Sequence, residues 1–206
     1  RNPLFGISAI GQLLERDLTR PEHQELIAAL LAETKRLNQL VEELLIYGRP
    51  MKLKLEEADL RRLWEEVLDL YREELAKRNI KLITDYAVSH PVTLFDPYQV
   101  RQVLLNLLRN ALEAMPDVGT LTITMLQEDD FIHLRVTDTG AGIPKEHLGQ
   151  VFDLFFTTKP KGTGLGLAIC RKILQDHGGD ITIGSDPGTG TTVSIKLPCR
   201  GTGRPA

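Results

Sequence analysis

The sequence predicts an α+β protein in which a helical hairpin, forming a dimeric four-helix bundle, is followed by an α/β sandwich with a mixed sheet. Three observations carry this. Before Gly48, apolar residues recur at alternating steps of three and four, the spacing of a helix seam. Gly48 and Pro50 then end that rhythm together. Beyond them, helical runs interleave with short alternating runs, several of which return as hairpins.

The first helix is carried by Leu4, Ile7, Gly11, Leu14 and Leu18, with the small Gly11 where two helices approach closely. Thr19, Arg20 and Pro21 break it, and Pro21 suits the first turn of a second helix. That helix places Ile27, Leu30, Thr34, Leu37, Val41 and Leu44 on one seam, widened by Leu26, Leu31, Leu40 and Leu45. Two antiparallel helices cannot cover so wide a stripe. A second copy of the hairpin can, giving a homodimer; the alternative is a hairpin packed on its own C-terminal domain. The expected domains are a dimerisation hairpin over 1–50 and a second domain over 51–206.

In the second domain, Lys52 to Leu55 reads as a strand and Leu60 to Ala76 as one amphipathic helix. Strands follow at Ile80 to Tyr86 and Val92 to Phe95, then a helix from Pro97 to Met115. Leu121 to Leu126 pairs with Phe131 to Val136, Leu167 to His177 is helical, and Asp180 to Ser185 and Thr192 to Leu197 are strands.

Composition removes several classes of function. With 206 residues, 42% hydrophobic and 26% charged, the chain is globular rather than disordered. A net charge of -3 offers no broad basic field for nucleic acid. Cys170 and Cys199 lack metal-ligand spacing, which fits a reduced, cytoplasmic setting. No run approaches the roughly 20 apolar residues of a bilayer span, so no membrane contact is expected of this fragment. Because a helical pattern is under way by Leu4 without a preceding Met, the chain is expected to continue upstream, where any anchor would lie.

Along the helix after Pro97, Val100, Val103, Leu104, Leu107, Leu108, Ala111 and Met115 form the buried face. The other flank presents Gln99, Gln102, Asn106, Arg109, Asn110 and Glu113. Asn106 and Asn110 lie one turn apart, and an amide oxygen is a hard neutral ligand suited to Mg²⁺; plain surface asparagines are the alternative. Strand parity sends Ile132, Leu134, Val136 and Asp138 inward. A carboxylate there needs a donor, which an adenine amino group or the following turn could supply, and Gly140 and Gly142 allow a flat ring to approach.

Gly162, Thr163, Gly164, Leu165 and Gly166 open a helix whose amides and dipole suit phosphates, with Lys159 and Lys161 just upstream. This is neither a dinucleotide fingerprint nor a Walker loop. Phe152, Phe155 and Phe156 form a knot that could anchor a loop or simply pack. Asp138 to Ala141 also spells an aspartic-protease tetrad, but a protease needs a second carboxylate in an all-β setting. His23, His90, His133, His147 and His177 read as solvated or capping residues.

The order NLLRNALEA, DTGAGIP, FDLFFTTK, GTGLGLAI and GTGTTVSIKLP resembles the N box and the glycine and F boxes of two-component sensor histidine kinases, from Leu53 to Pro198. The opening RNPL is similar to the tail of that family's phosphoacceptor box, HExRNPL or HExRTPL. The resemblance implies a GHKL (Bergerat-type) ATP-binding domain in an ATP:protein-histidine phosphotransferase core. Its cofactors would be ATP and Mg²⁺, and its partner a response-regulator receiver domain docked on the bundle. Asn110 would ligate Mg²⁺ with Asn106 in support, and Asp138 would read the adenine, lined by Gly140, Gly142 and Ile143. Arg109, Glu113, Thr158 and Lys159 would stand near the nucleotide, Gly162, Thr163, Gly164, Leu165, Gly166 and Leu167 would wrap the triphosphate, and Thr191 would help fix the adenine end. Asn2 sits where the family orients water during dephosphorylation of its partner.

Two departures accompany the resemblance. The acceptor histidine belongs three residues before Arg1, and Glu113 stands where many relatives carry a basic residue. Related ATPases of the gyrase and chaperone kind place a water-activating glutamate at the position of Asn106, which this chain lacks. A non-catalytic nucleotide-binding dimer scaffold is the other alternative.

Overall fold

The computed structural model describes residues 3–17, 20–48, 52–88, 91–159 and 162–199. It divides into two compact units, Arg1–Pro50 and Met51–Ala206. In the first, α1 (Pro3–Asp17) and α2 (Pro21–Gly48) pack as a hairpin. Gly11 sets their approach: a Cβ there would lie 2.7 Å from Leu31 Cδ2. Ile27 and Thr34 are buried, and the Thr34 hydroxyl donates to the Leu30 carbonyl at 2.8 Å.

Much of the seam stays uncovered by this single hairpin. Ile7, Leu14, Leu30, Leu37, Val41 and Leu44 are 41–45% exposed, and Leu26 reaches 70%. Leu18 and the side chain of Leu45 lie outside the described residues. Among the described residues, no helix is long and apolar enough to cross a membrane.

In the second unit, β1 (Glu56–Asp59) pairs antiparallel with β3 (Val92–Phe95). The main sheet has five strands in the order β2 (Ile80–Tyr86), β4 (Gly119–Glu128), β5 (Phe131–Asp138), β7 (Gly190–Pro198), β6 (Asp180–Asp186). Only the β2–β4 pair is parallel, so the sheet is mixed. The helices α3 (Leu60–Asp69), α5 (Pro97–Ala114) and α7 (Gly166–Asp176) supply the second layer, α5 packing on β5 and β7 and against both other helices. Trp64, Phe95, Leu104, Leu108, Leu121, Ile123, Leu134 and Leu174 fill the space between the layers.

Three expectations are corrected, and one element is added. The first strand lies at Glu56–Asp59 rather than Lys52 to Leu55, because cross-strand pairing with β3, not local alternation, selects the residues. The run read as one helix from Leu60 to Ala76 is α3 and α4 (Arg72–Lys77), separated by a tight turn in which the Tyr71 amide donates to the Leu68 carbonyl at 3.0 Å. Neither Gly nor Pro marks that break. Gln99, assigned to the polar flank, is buried and donates to Asp96 Oδ2 at 3.4 Å. A one-turn α6 (Lys145–Leu148) follows the first glycine segment, too short to leave a periodic signal.

The start of α5 is fixed by Asp96, whose Oδ1 accepts from the Tyr98 and Gln99 amides at 3.1 and 3.2 Å, with Pro97 opening the helix. Its Oδ2 accepts from the Lys54 amide at 3.0 Å. The Asp96 amide donates to His177 Nε2 at 3.0 Å, and His177 Nδ1 lies 2.7 Å from the Ile173 carbonyl. A carbonyl can only accept, so Nδ1 carries the proton and Nε2 is the acceptor. His177 is thus a capping residue, and a buried one, tying the end of α7 to the start of α5.

Replacing Asp96 by Ala removes a helix cap and orphans the Lys54 amide. We expect a loss of roughly 2–4 kcal/mol in urea unfolding, from one cap and one unsatisfied donor. Asp96→Asn, which keeps an acceptor oxygen, should lose less; equal losses for the two would refute the capping account.

Candidate functional site

Two side-chain clusters are built on α5. The first gathers beyond its C-terminal end. Alternation along β5 buries Ile132, Leu134 and Val136, and the same parity buries Asp138 at 6% exposure. Asp138 Oδ1 accepts from the Gly140 amide at 2.8 Å and the Thr191 amide at 3.3 Å. The carboxylate therefore does fasten the following turn. Both described donors go to Oδ1, which leaves Oδ2 to accept from a further group. Burial raises the Asp138 pKa above the ordinary carboxylate value, against the opposing effects of those two amides and of the Lys159 charge.

The backbone around Asp138 is drawn in tightly. Gly142 has φ of +70°, and a Cβ there would fall 2.2 Å from the Asp186 carbonyl oxygen, so only glycine serves. The Ala141 amide donates to the Ala114 carbonyl at 3.2 Å, seating the loop on the last turn of α5. Ser185, unremarked in the sequence, joins these parts. Its hydroxyl accepts from the Ile143 amide at 2.8 Å, donates to the Gly190 carbonyl at 2.8 Å, and lies 2.9 Å from Thr191 Oγ1. Its place follows from register, since Ser185 pairs with Thr191 only once β6 and β7 are aligned.

The second cluster occupies the flank of α5. Asn110 Nδ2 donates to Asn106 Oδ1 at 3.2 Å, which turns Asn110 Oδ1 outward. That oxygen accepts from Lys159 Nζ at 2.9 Å, and the same ammonium meets Glu113 Oε2 at 2.5 Å. Gly166, the first residue of α7, sits against Asn106; a Cβ would come within 2.5 Å of Asn106 Nδ2. The N-cap position of α7 is Leu165, whose side chain has no atom to cap the first-turn amides. Residues 162–165 precede the helix rather than forming its first turn.

The remaining expected site residues are more scattered. Thr158 and Arg109 are exposed, while Leu165 is buried beneath the loop. Gly162 receives a turn from Lys159, its amide donating to the Lys159 carbonyl at 3.1 Å. Asn2 and Lys161 lie outside the described residues. The phenylalanines do not form one knot: the Arg171 guanidinium lies 5.3 Å from the Phe152 ring, Phe156 packs on His147 at 5.5 Å, and Phe155 is 59% exposed. Phe155 also has φ of +65°, a strained conformation for a bulky residue. Its carbonyl carbon would lie 2.3 Å from a Cβ at Gly164.

Comparisons with known proteins agree in kind. A family model described as histidine kinase-, DNA gyrase B- and HSP90-like ATPase matches residues 95–201, and one described as the His Kinase A (phospho-acceptor) domain matches residues 1–51. Sporulation kinase D of Bacillus subtilis is 38% identical over 96% of this chain and 39% of its own length. For the sensor histidine kinase ZraS of Escherichia coli the figures are 36%, 96% and 43%. The chain thus spans about two fifths of these relatives.

Among solved structures, the catalytic domain of histidine kinase ThkA, nucleotide-free, is matched with TM-score 0.66 at 34% identity, over 73% of this chain and 97% of that one. Full-length ShkA in complex with AMPPNP gives 0.83 at 27%, over 96% and 43%. ThkA in complex with the response regulator protein TrrA gives 0.76 at 31%, over 99% and 60%.

The raised pKa of Asp138 has a consequence for stability. A folded state that holds the proton more tightly than the unfolded chain is stabilised as pH falls through the raised pKa toward the ordinary value, and carries a constant cost above it. Asp138→Asn keeps the acceptor oxygen and removes the charge. It is expected to melt no lower than the unaltered protein at neutral pH, with the gap narrowing on acidification; a variant that melts lower at neutral pH would contradict this.

Proposed function

The chain belongs to the sensor histidine kinases, and we propose that its second unit binds Mg²⁺-ATP for phosphoryl transfer to a histidine and from there to a response-regulator receiver domain. One observation carries the nucleotide reading. A buried carboxylate with an unclaimed oxygen and an asparagine oxygen already holding a cation are mounted on and beyond the same helix.

The residues fit the ligands in chemical kind. Asp138 Oδ2 is the acceptor proposed for an adenine amino group, and Gly140 and Gly142 let the loop beside it pack directly on Ala114 and Asp186. Asn110 Oδ1 already faces a cation, the Lys159 ammonium, which supports reading it as the hard oxygen that would hold Mg²⁺. Bound there, the metal would neutralise charge on the triphosphate. The uncapped start of α7, resting on Asn106, suits phosphate oxygens. Asn106 is neutral and cannot serve as a base to activate water. A neutral imidazole is already nucleophilic and needs positioning rather than deprotonation, which favours phosphotransfer over ATP hydrolysis.

We assign the first unit to dimerisation and phosphoacceptance. Its exposed seam, Leu30, Leu37, Val41 and Leu44 with Leu26 beside it, matches what a second hairpin would cover in a four-helix bundle. ThkA is captured with its response regulator TrrA, and a receiver domain is the corresponding partner proposed for this chain. Asn2 retains its proposed part in orienting water there.

In calorimetry, Asp138→Asn should weaken Mg²⁺-ATP binding about tenfold or more, the scale of one hydrogen bond to a charged acceptor. Unchanged affinity would end the adenine assignment. A protein carrying the upstream histidine should acquire an acid-labile phosphoryl group from γ-labelled ATP. If it binds ATP and remains unlabelled, the phosphotransfer reading fails.

A further inference from the structure

Glu113 stands where a basic residue was expected, and the structure gives its carboxylate a definite task. Asn110 and Glu113 lie at i and i+3, so their oxygens face the same side of α5 and converge on one ammonium. The direction of Asn110 is not free, because its Nδ2 is spent on Asn106. What the pair presents is one amide oxygen and one carboxylate oxygen at cation distance, a donor set of the hard type that Mg²⁺ and Mn²⁺ take, with water and phosphate in the remaining positions.

We propose that Asn110 and Glu113 together form the protein's half of a divalent-metal site, and that the Lys159 ammonium competes with the metal for it. The proposal rests on the nucleotide reading above and adds Glu113 as a ligand and Lys159 as the displaceable occupant. Lys159 and Glu113 are 43% and 45% exposed, so their ion pair is worth little and a divalent ion can displace it. The carboxylate supplies the charge that two neutral asparagines cannot. In its paired position the ammonium is already within electrostatic reach of Asp138, so the lysine stands between the two clusters.

The test is Mn²⁺ binding to the nucleotide-free chain, followed by water-proton relaxation. Lys159→Gln should bind Mn²⁺ roughly fivefold more tightly than the unaltered protein, the scale of one partly exposed ion pair. Adding Glu113→Gln to that variant should erase the gain. Equal affinity for Lys159→Gln and the unaltered protein, a gain that survives in the double variant, or no Mn²⁺ bound by Lys159→Gln would each overturn the proposal. Both side chains are on the surface, so the variants should fold, and a thermal melt checks this. Binding of a fluorescent adenine nucleotide with Mg²⁺ to the unaltered protein is measured alongside: its absence would sink the nucleotide reading, whereas its presence with any of the adverse Mn²⁺ results would sink the metal site alone.

Discussion

The rotational setting of α5 governs the rest of the second unit. Eight of its residues are buried, among them Val100, Val103, Leu104, Leu107, Leu108, Ala111 and Leu112, and a helix with that much apolar surface committed to a core cannot turn about its axis without exposing it. Each buried leucine is worth about 1.5–3 kcal/mol. Asn106, Asn110 and Glu113 therefore face the flank by default, and Ala114 is left at the end of the helix to receive the loop after Asp138. Chemistry-bearing residues here are positioned by neighbours that carry none.

Axial position is settled differently. Asp96 stops the helix at its first turn and meets the linker through Lys54 and α7 through His177. Every group in this network is buried or backbone, and each donor has its acceptor, so sliding α5 by one residue would leave several unsatisfied groups at about 1–3 kcal/mol each. Since α7 begins on Asn106 and ends on His177, the same network indirectly sets the distance from its first amides to the asparagine pair.

These two constraints differ in how far the sequence displays them. The face of α5 was readable because helical period and burial coincide, and the inward parity of Asp138 was readable for the same reason in β5. Gln99 was misread although a local signal exists: Asp96 and Gln99 stand at capping-box spacing, in which the third helical residue turns back to its own cap. Ser185 went unnoticed, and the partner of His177 unspecified, for a different reason: each acts on residues distant in sequence, Ile143 and Asp96, and only the finished fold brings them together. Glu56–Asp59 became a strand by pairing with β3, a tertiary cause that outweighs its own weak propensity. The motif glycines, in contrast, announced themselves, and at Gly142 the positive φ and the close approach to backbone leave no other residue possible.

The charges on α5 divide along the same line. Near its start, the Asp96 carboxylate is 7% exposed and fully engaged, and a charge held that way is costly to disturb because its partners cannot turn to water. Toward its end, the Lys159 to Glu113 pair is open to solvent, and its net contribution is at most about 1 kcal/mol. A site that must admit and release a charged ligand needs the second kind of contact, since a pair as strong as the first would compete with the ligand on nearly equal terms. Asp138 stands between these extremes, buried enough for its pKa to rise yet held, among the described residues, by two amides on one oxygen. Under the proposed nucleotide reading, its remaining oxygen is where an incoming donor would recover the cost of burial, which would make the liganded carboxylate the more stable one and direct binding energy to that atom.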